Sequence, residues 1–144
     1  MNNWINTWGS VDWMKAPKEY VEKQVDELIA NGADVNAFDE YGYTVLMWAA
    51  YEGKAVLNLI NAGAKLEAKD NNGWTALMMA AEKGHLSTFK TLMNAGADIN
   101  AKNKFGHTAL TIAQKNGHPD IVQTIKKRQE LILKQLQQKS NTRC

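Results

Sequence analysis

A chain of 144 residues, 44% hydrophobic and 22% charged, is long enough to bury one core and too apolar to be a disordered polyelectrolyte. Its net charge of +2 gives no whole-molecule pull toward nucleic acid, and no run approaches the roughly 20 apolar residues of a membrane-spanning helix. The single cysteine, Cys144 at the last position, excludes an internal disulfide and leaves the redox compartment open.

The opening stretch MNNWINTWGSVDW lacks the basic head and apolar run of a secretion signal. A soluble protein is expected, of the cytoplasm or the periplasm, with the compartment left open because a leader can have been removed. Residues 1–17 read as a degenerate N-terminal cap. In it VDWM (11–14) takes the place of a first helix, Pro17 stops that helix early, and Trp4 and Trp8 cover exposed core. Residues 18–38 follow as a partial unit, with Val25, Leu28 and Ile29 on one helix face and Gly32 at its end.

From here the chain repeats itself. The segment GYTVLMWAAYEG at Gly42 recurs as GWTALMMAAEKG at Gly73 and as GHTALTIAQKNG at Gly106. The spacings are 31 and 33 residues. A second block recurs as NGADVNA (31–37), NAGAKLEA (61–68) and NAGADINA (94–101). Thr44, Thr75 and Thr108 are placed to cap a helix through the hydroxyl. Leu46, Leu77 and Leu110 face inward, and the alanines at 49, 50, 80, 81 and 113 permit close packing. Gly53, Gly84 and Gly117 end that helix, as glycine tolerates the left-handed turn cheaply. Val56, Leu59 and Ile60, then Phe89, Leu92 and Met93, line a second helix, which ends at Gly63 or Gly96. The unit at 39–69 lacks two residues between Gly53 and Val56, so its second helix is expected to be about half a turn short. One such unit cannot bury its own apolar face; neighbours must stack.

From Asp120, IVQTIKKRQELILKQLQQK reads as one helix of about 20 residues, roughly 30 Å long. Ile121, Val122, Ile125, Ile132, Leu133 and Leu136 make an interrupted apolar stripe. Lys126, Lys127 and Arg128 stand where a further unit would need aliphatics, so stacking is expected to stop here. A capping helix with a solvated tail accounts for this; a partner-docking extension is the alternative. Charge is uneven along the chain: residues 12–40 hold eight acids against three lysines, and residues 120–144 hold six bases against two acids. Solvated faces explain the pattern, and an oriented binding surface is the sharper reading.

These repeats resemble the ankyrin family, whose frame runs D-x-x-G-x-T-P-L-H-x-A-A-x-x-G-H, a second helix, then G-A-D-x-N-A. Asp70–Lys102 matches over a full unit, and the resemblance covers about residues 18–130. The family proline is replaced by Val45, Ala76 and Ala109, and its histidine by Met47, Met78 and Thr111. The resemblance implies an all-α solenoid of about four helix-turn-helix repeats with β-hairpin-like fingers, a degenerate N-terminal cap and an extended C-terminal helix. The repeats would fall at 18–38, 39–69, 70–102 and 103–128, with the extension at 129–144.

The resemblance also implies which positions meet a partner. Asp39, Asp70 and Asn103 hold the finger turns, and the places between them point outward. These are Glu40, Tyr41 and Tyr43; Asn71, Asn72 and Trp74; Lys104, Phe105 and His107. The ends of the first helices add Tyr51 and Glu52, Glu82 and Lys83, Lys115 and Asn116 on the same concave side, with Trp48, Met79 and Ile112 beside them. Rings at so many variable places suit a recognition strip, because Tyr and Trp give large contact area with few rotors to freeze.

Catalytic signals are missing. His85 and His118 follow a unit glycine, where the resemblance makes them structural, and His107 sits on a finger, where it can contact a partner. There is no Cys-x-x-Cys, H-E-x-x-H or phosphate loop, and DNNG (70–73) puts glycine fourth where a calcium loop needs it sixth. The KKR run at 126–128 has no interleaved aromatics. The expectation is a non-catalytic protein-binding module without metal or cofactor, monomeric when free, that takes no nucleic acid, membrane or small-molecule substrate. Its function reads as a stoichiometric inhibitor, regulator or immunity-type protein masking a partner, one candidate being the active site of an enzyme such as a bacterial hydrolase. The alternative is an adaptor joining two partners through the concave face and the basic C-terminal helix.

Overall fold

A computed structural model describes residues 7–141. It contains a short 3-10 turn at Trp8–Ser10 and seven α-helices among the described residues. These are α1 (Lys18–Ala30), α2 (Val45–Glu52), α3 (Val56–Asn61), α4 (Ala76–Lys83), α5 (Leu86–Asn94), α6 (Ala109–Lys115) and α7 (Pro119–Asn141). The helices form two rows. α2, α4 and α6 pack side by side as the inner row, and α1, α3, α5 and α7 pack as the outer one. This is the all-α repeat solenoid read from the sequence.

The inner helices start where their threonines stand. Thr44, Thr75 and Thr108 adopt extended backbone and accept through the hydroxyl from the N–H of Met47, Met78 and Thr111. Each cap satisfies one donor that a helix start leaves free. The helices then press close because Ala49, Ala50, Ala80, Ala81 and Ala113 are fully buried and offer no bulk. Leu46, Leu77, Phe89, Leu92, Ile121 and Ile125 fill the space between the rows. Leu110 is half-buried against the same core.

Histidines staple one repeat to the one before. His85 Nε2 lies 2.9 Å from the Tyr51 carbonyl, and His118 Nε2 lies 2.8 Å from that of Glu82. The rings take the space beneath the helix-ending glycines. A Cβ on Gly84, whose φ is +74°, would stand 2.6 Å from the His118 ring. The site therefore demands glycine twice over, for backbone and for room.

Repeat two departs from this frame in the expected direction, and its second helix is shorter by nearly a turn where about half a turn was expected. α3 has 6 residues where α5 has 9. The lost residues force Ala55 into left-handed backbone (φ 63°), an unfavourable state for a residue with a Cβ. Lys54 stands where the other units have histidine, and it makes a comparable staple. Its ammonium donates to the carbonyls of Trp13 at 2.7 Å, Ala16 at 2.9 Å and Met14 at 3.4 Å.

Lys54 thereby fastens the N-terminal cap, whose path differs from the sequence expectation. Residues 11–14 are not helical. Val11 is extended, Asp12 Oδ1 accepts from the Lys15 N–H, and Pro17 disfavours helical backbone before it. Burial directs this stretch instead. Trp8 is fully enclosed and donates through its indole N–H to the Asp34 carbonyl; Trp13 donates to the Trp8 carbonyl. With Val11 and Ala16, the two indoles fill the place of a first inner helix. Trp4 and Cys144 lie outside the described residues.

At the other end, α7 packs on α5 and α6 through Ile121 and Ile125, and Arg128 donates to Asn94 Oδ1 at 2.7 Å. Every residue from Leu131 to Ser140 is exposed. The helix thus seals the stack with its first turns, and its last turns stand in water.

Candidate functional site

Three turns project along the ends of the inner helices. In each, one side-chain oxygen gathers two backbone N–H groups. Asp39 Oδ1 accepts from Tyr41 and Tyr43, Asp70 Oδ1 from Asn72 and Trp74, and Asn103 Oδ1 from Phe105 and His107, all at 2.9–3.1 Å. The N–H of the same frame residue donates to the carbonyl of Tyr43, Trp74 or His107, closing the loop. An isolated antiparallel bridge between Phe38 and Thr44 is the one hairpin-like element among the described residues of the first finger.

The fingers also bond to one another. The Asn71 N–H donates to the Tyr41 carbonyl and its Nδ2 to the Glu40 carbonyl; the Lys104 N–H donates to the Asn72 carbonyl. They approach so closely that a Cβ on Gly73 would lie 3.1 Å from the Asn103 Cα. Such bonding makes the row of fingers one stiff edge.

Between the first two fingers lies a cleft of about 400 Å³. Tyr43, Met47, Trp48 and Tyr51 line one side of it. Asp70, Asn72, Trp74, Met79 and Glu82 line the other. Tyr43 meets Trp48 edge-on at 6.3 Å between centroids, and Tyr41 lies 6.1 Å from Tyr43 in a tilted arrangement. At the rim, the Lys83 ammonium stands 4.7 Å from the centre of the Tyr51 ring. Burial and then the nearby carboxylates of Asp70 and Asp39, with smaller effects of Tyr41 and Glu82, push the Tyr43 phenol above its ordinary value. The site thus joins aromatic rings to the carboxylates of Asp70 and Glu82.

The residues expected to meet a partner fall into three groups. Tyr41 (58% exposed) and Phe105 (66%) stand in water, as do Glu40, Tyr51, Asn71, Asn72, Lys83, Lys104, Lys115 and Asn116. Tyr43, Trp48, Glu52, Trp74, Glu82 and His107 are half-buried. Met79 and Ile112 differ from the expectation: both are buried, whereas Trp48 at the corresponding place is half-buried. Met79 still lines the cleft, whereas Ile112 belongs to the core.

The cleft also uses residues that sequence reasoning assigned elsewhere. Asp70 holds the turn and lines the cleft as well, at 9% exposure. Met47 caps α2 with a weak sulfur contact to the Thr44 N–H and presents its side chain to the cleft. Phe38 was missed altogether, although it is 68% exposed beside the first finger. Its signal lay in the alignment of units: the residue before the frame aspartate or asparagine is Phe38, Lys69 or Lys102, a variable place like the others.

No helix among the described residues is long and apolar enough to cross a membrane. A family model described as ankyrin repeats (3 copies) matches residues 14–103. No curated protein matches the chain.

Proposed function

The chain belongs to the ankyrin-repeat family, generally non-catalytic modules of protein–protein interaction, and from that premise we propose that it is a stoichiometric inhibitor or immunity-type protein that masks its partner. The observation that carries the reading is the stiff row of fingers whose non-frame places hold rings in contact with water, Tyr41 and Phe105, with Tyr51 exposed at the end of α2 and Tyr43, Trp48 and Trp74 around the cleft. A preformed edge binds with little ordering cost, and Tyr and Trp are enriched among hot spots. Such an edge blocks whatever surface it covers, and an enzyme's active site is the target proposed.

Affinity capture with wild-type bait, set against a Tyr41→Ala/Trp74→Ala/Phe105→Ala bait and read by mass spectrometry, tests the surface. A partner retained by wild type and lost by the triple variant supports it; equal retention rejects it. If that partner is an enzyme, an equimolar amount of this protein abolishes its activity, and undiminished turnover in the formed complex rejects masking.

An adaptor is the second reading, favoured by one observation. Leu131, Ile132, Leu133 and Leu136 stand exposed on α7 beyond the stack. Deleting residues 130–144 separates the two: an inhibitor keeps its main affinity, and an adaptor loses one of two partners.

A further inference from the structure

We propose that the cleft between the first and second fingers receives the guanidinium of one arginine carried by the protein partner. This rests on the reading of the fingers as the binding edge and adds what that edge recognises. Three observations converge on it. Four of the lining residues are aromatic, Tyr43, Trp48, Tyr51 and Trp74, and the faces of such rings attract cations. Two carboxylates, Asp70 and Glu82, line the same cleft, and none of its nine lining residues is basic. The rim already holds a cation on a ring, the Lys83 ammonium over Tyr51.

Arginine suits this lining better than lysine. Its planar fork stacks on a ring and bonds a carboxylate at the same time, and it is shed of water more easily than an ammonium. Asp70 is well placed to be the charged partner in a low-dielectric wall, being nine-tenths buried and held at Oδ1 by two backbone N–H groups.

The next gap along the stack supplies an internal control. There the frame residue is Asn103 in place of Asp70, and the helix-end residue is Lys115 in place of Glu82. Asn103 gathers the same two N–H groups as the aspartates do, so an amide builds this turn as well as a carboxylate. Its Nδ2 stays buried without a hydrogen-bond partner among the described residues, which shows that the fold tolerates that cost. Asp70→Asn therefore removes the charge and keeps the finger. Glu82→Gln is equally mild, because the bond from His118 goes to the Glu82 backbone carbonyl.

The test titrates the ¹⁵N-labelled full chain with acetyl-Gly-Gly-Arg-Gly-Gly-amide and with its citrulline counterpart, an uncharged near-isostere. The arginine peptide is expected to shift the indole N–H signals of Trp48 and Trp74 saturably, and citrulline to bind about tenfold more weakly or worse. In Asp70→Asn/Glu82→Gln, checked for fold by its spectrum, the advantage of the arginine peptide is expected to shrink to the small preference that the rings alone give; an undiminished advantage overturns the role of the carboxylates. Equal affinity of the two peptides for wild type overturns the proposal. So does the lack of a saturable shift at roughly 20 mM arginine peptide, well above a millimolar dissociation constant. The captured partner separates this inference from the function beneath it. A partner lost by the triple-alanine bait and kept in full by Asp70→Asn/Glu82→Gln leaves the binding edge standing and removes the arginine.

Discussion

Inside the stack, corresponding places hold nearly the same residue from one repeat to the next; along the finger edge they do not. Thr44, Thr75 and Thr108 cap three helices in one way, and Ala49, Ala80 and Ala113 are all fully buried. At the edge, Tyr43, Trp74 and His107 share a place, and so do Tyr51, Glu82 and Lys115. Repetition follows burial because each interior position faces the same neighbour one unit on. The edge faces water, so its composition is free to suit something outside the molecule. On the proposed reading, stability and recognition are therefore written on largely separate sets of residues, with Asp70 and Met47 belonging to both.

That separation can be broken most forcefully from the interior. Phe89 is fully buried between the rows, and Phe89→Ala is expected to cost about 3–5 kcal/mol of unfolding free energy. Chemical denaturation reads it; a loss below about 1 kcal/mol would mean a loosely packed stack. At the edge the pattern reverses. Phe105→Ala is expected to change stability by no more than about 0.5 kcal/mol while weakening the partner complex by about 2 kcal/mol, as calorimetry would report. A Phe105→Ala protein that unfolds easily would show that the edge also holds up the fold.

Lys54 sharpens the comparison, since it is a half-exposed residue with an interior task. Lys54→Met keeps the stem and removes the ammonium that ties the cap carbonyls. A loss of about 1 kcal/mol is expected, with faster hydrogen exchange confined to the cap at 8–16. Unchanged exchange there would leave the cap to its two indoles alone.

The smallest effect lies at Tyr43. Its phenol is held above the ordinary value in the folded chain, so it contributes stability that is complete below the unfolded value and is lost as pH rises through the folded one. Difference absorbance against Tyr43→Phe is expected to show late ionisation, and Asp70→Asn to bring it earlier. An Asp70→Asn titration that superimposes on wild type would show that this carboxylate does not act on the cleft.

Much of the architecture was legible because each repeat states it again. Threonine caps, helix-ending glycines and the two structural histidines lie at fixed offsets, and even the missing residues before Val56 announced a short α3. What escaped reading depends on distance or on double duty. The cap runs irregularly because two indoles and a lysine some forty positions away decide its path, and no local pattern carries that. Asp70 and Met47 each have a local task that hides their place in the cleft. The burial of Ile112 was not legible either, since Trp48 at the same place is half-buried and the repeat frame alone does not tell the two apart.

Hydrogen exchange of the chain in complex with its captured partner bears most directly on the claim that the ring-bearing fingers are the contact surface. Added protection is expected at residues 39–44, 70–75 and 103–108, with the outer helices unchanged. Protection on α1, α3 and α5, with the fingers exchanging as they do in the free chain, would contradict it.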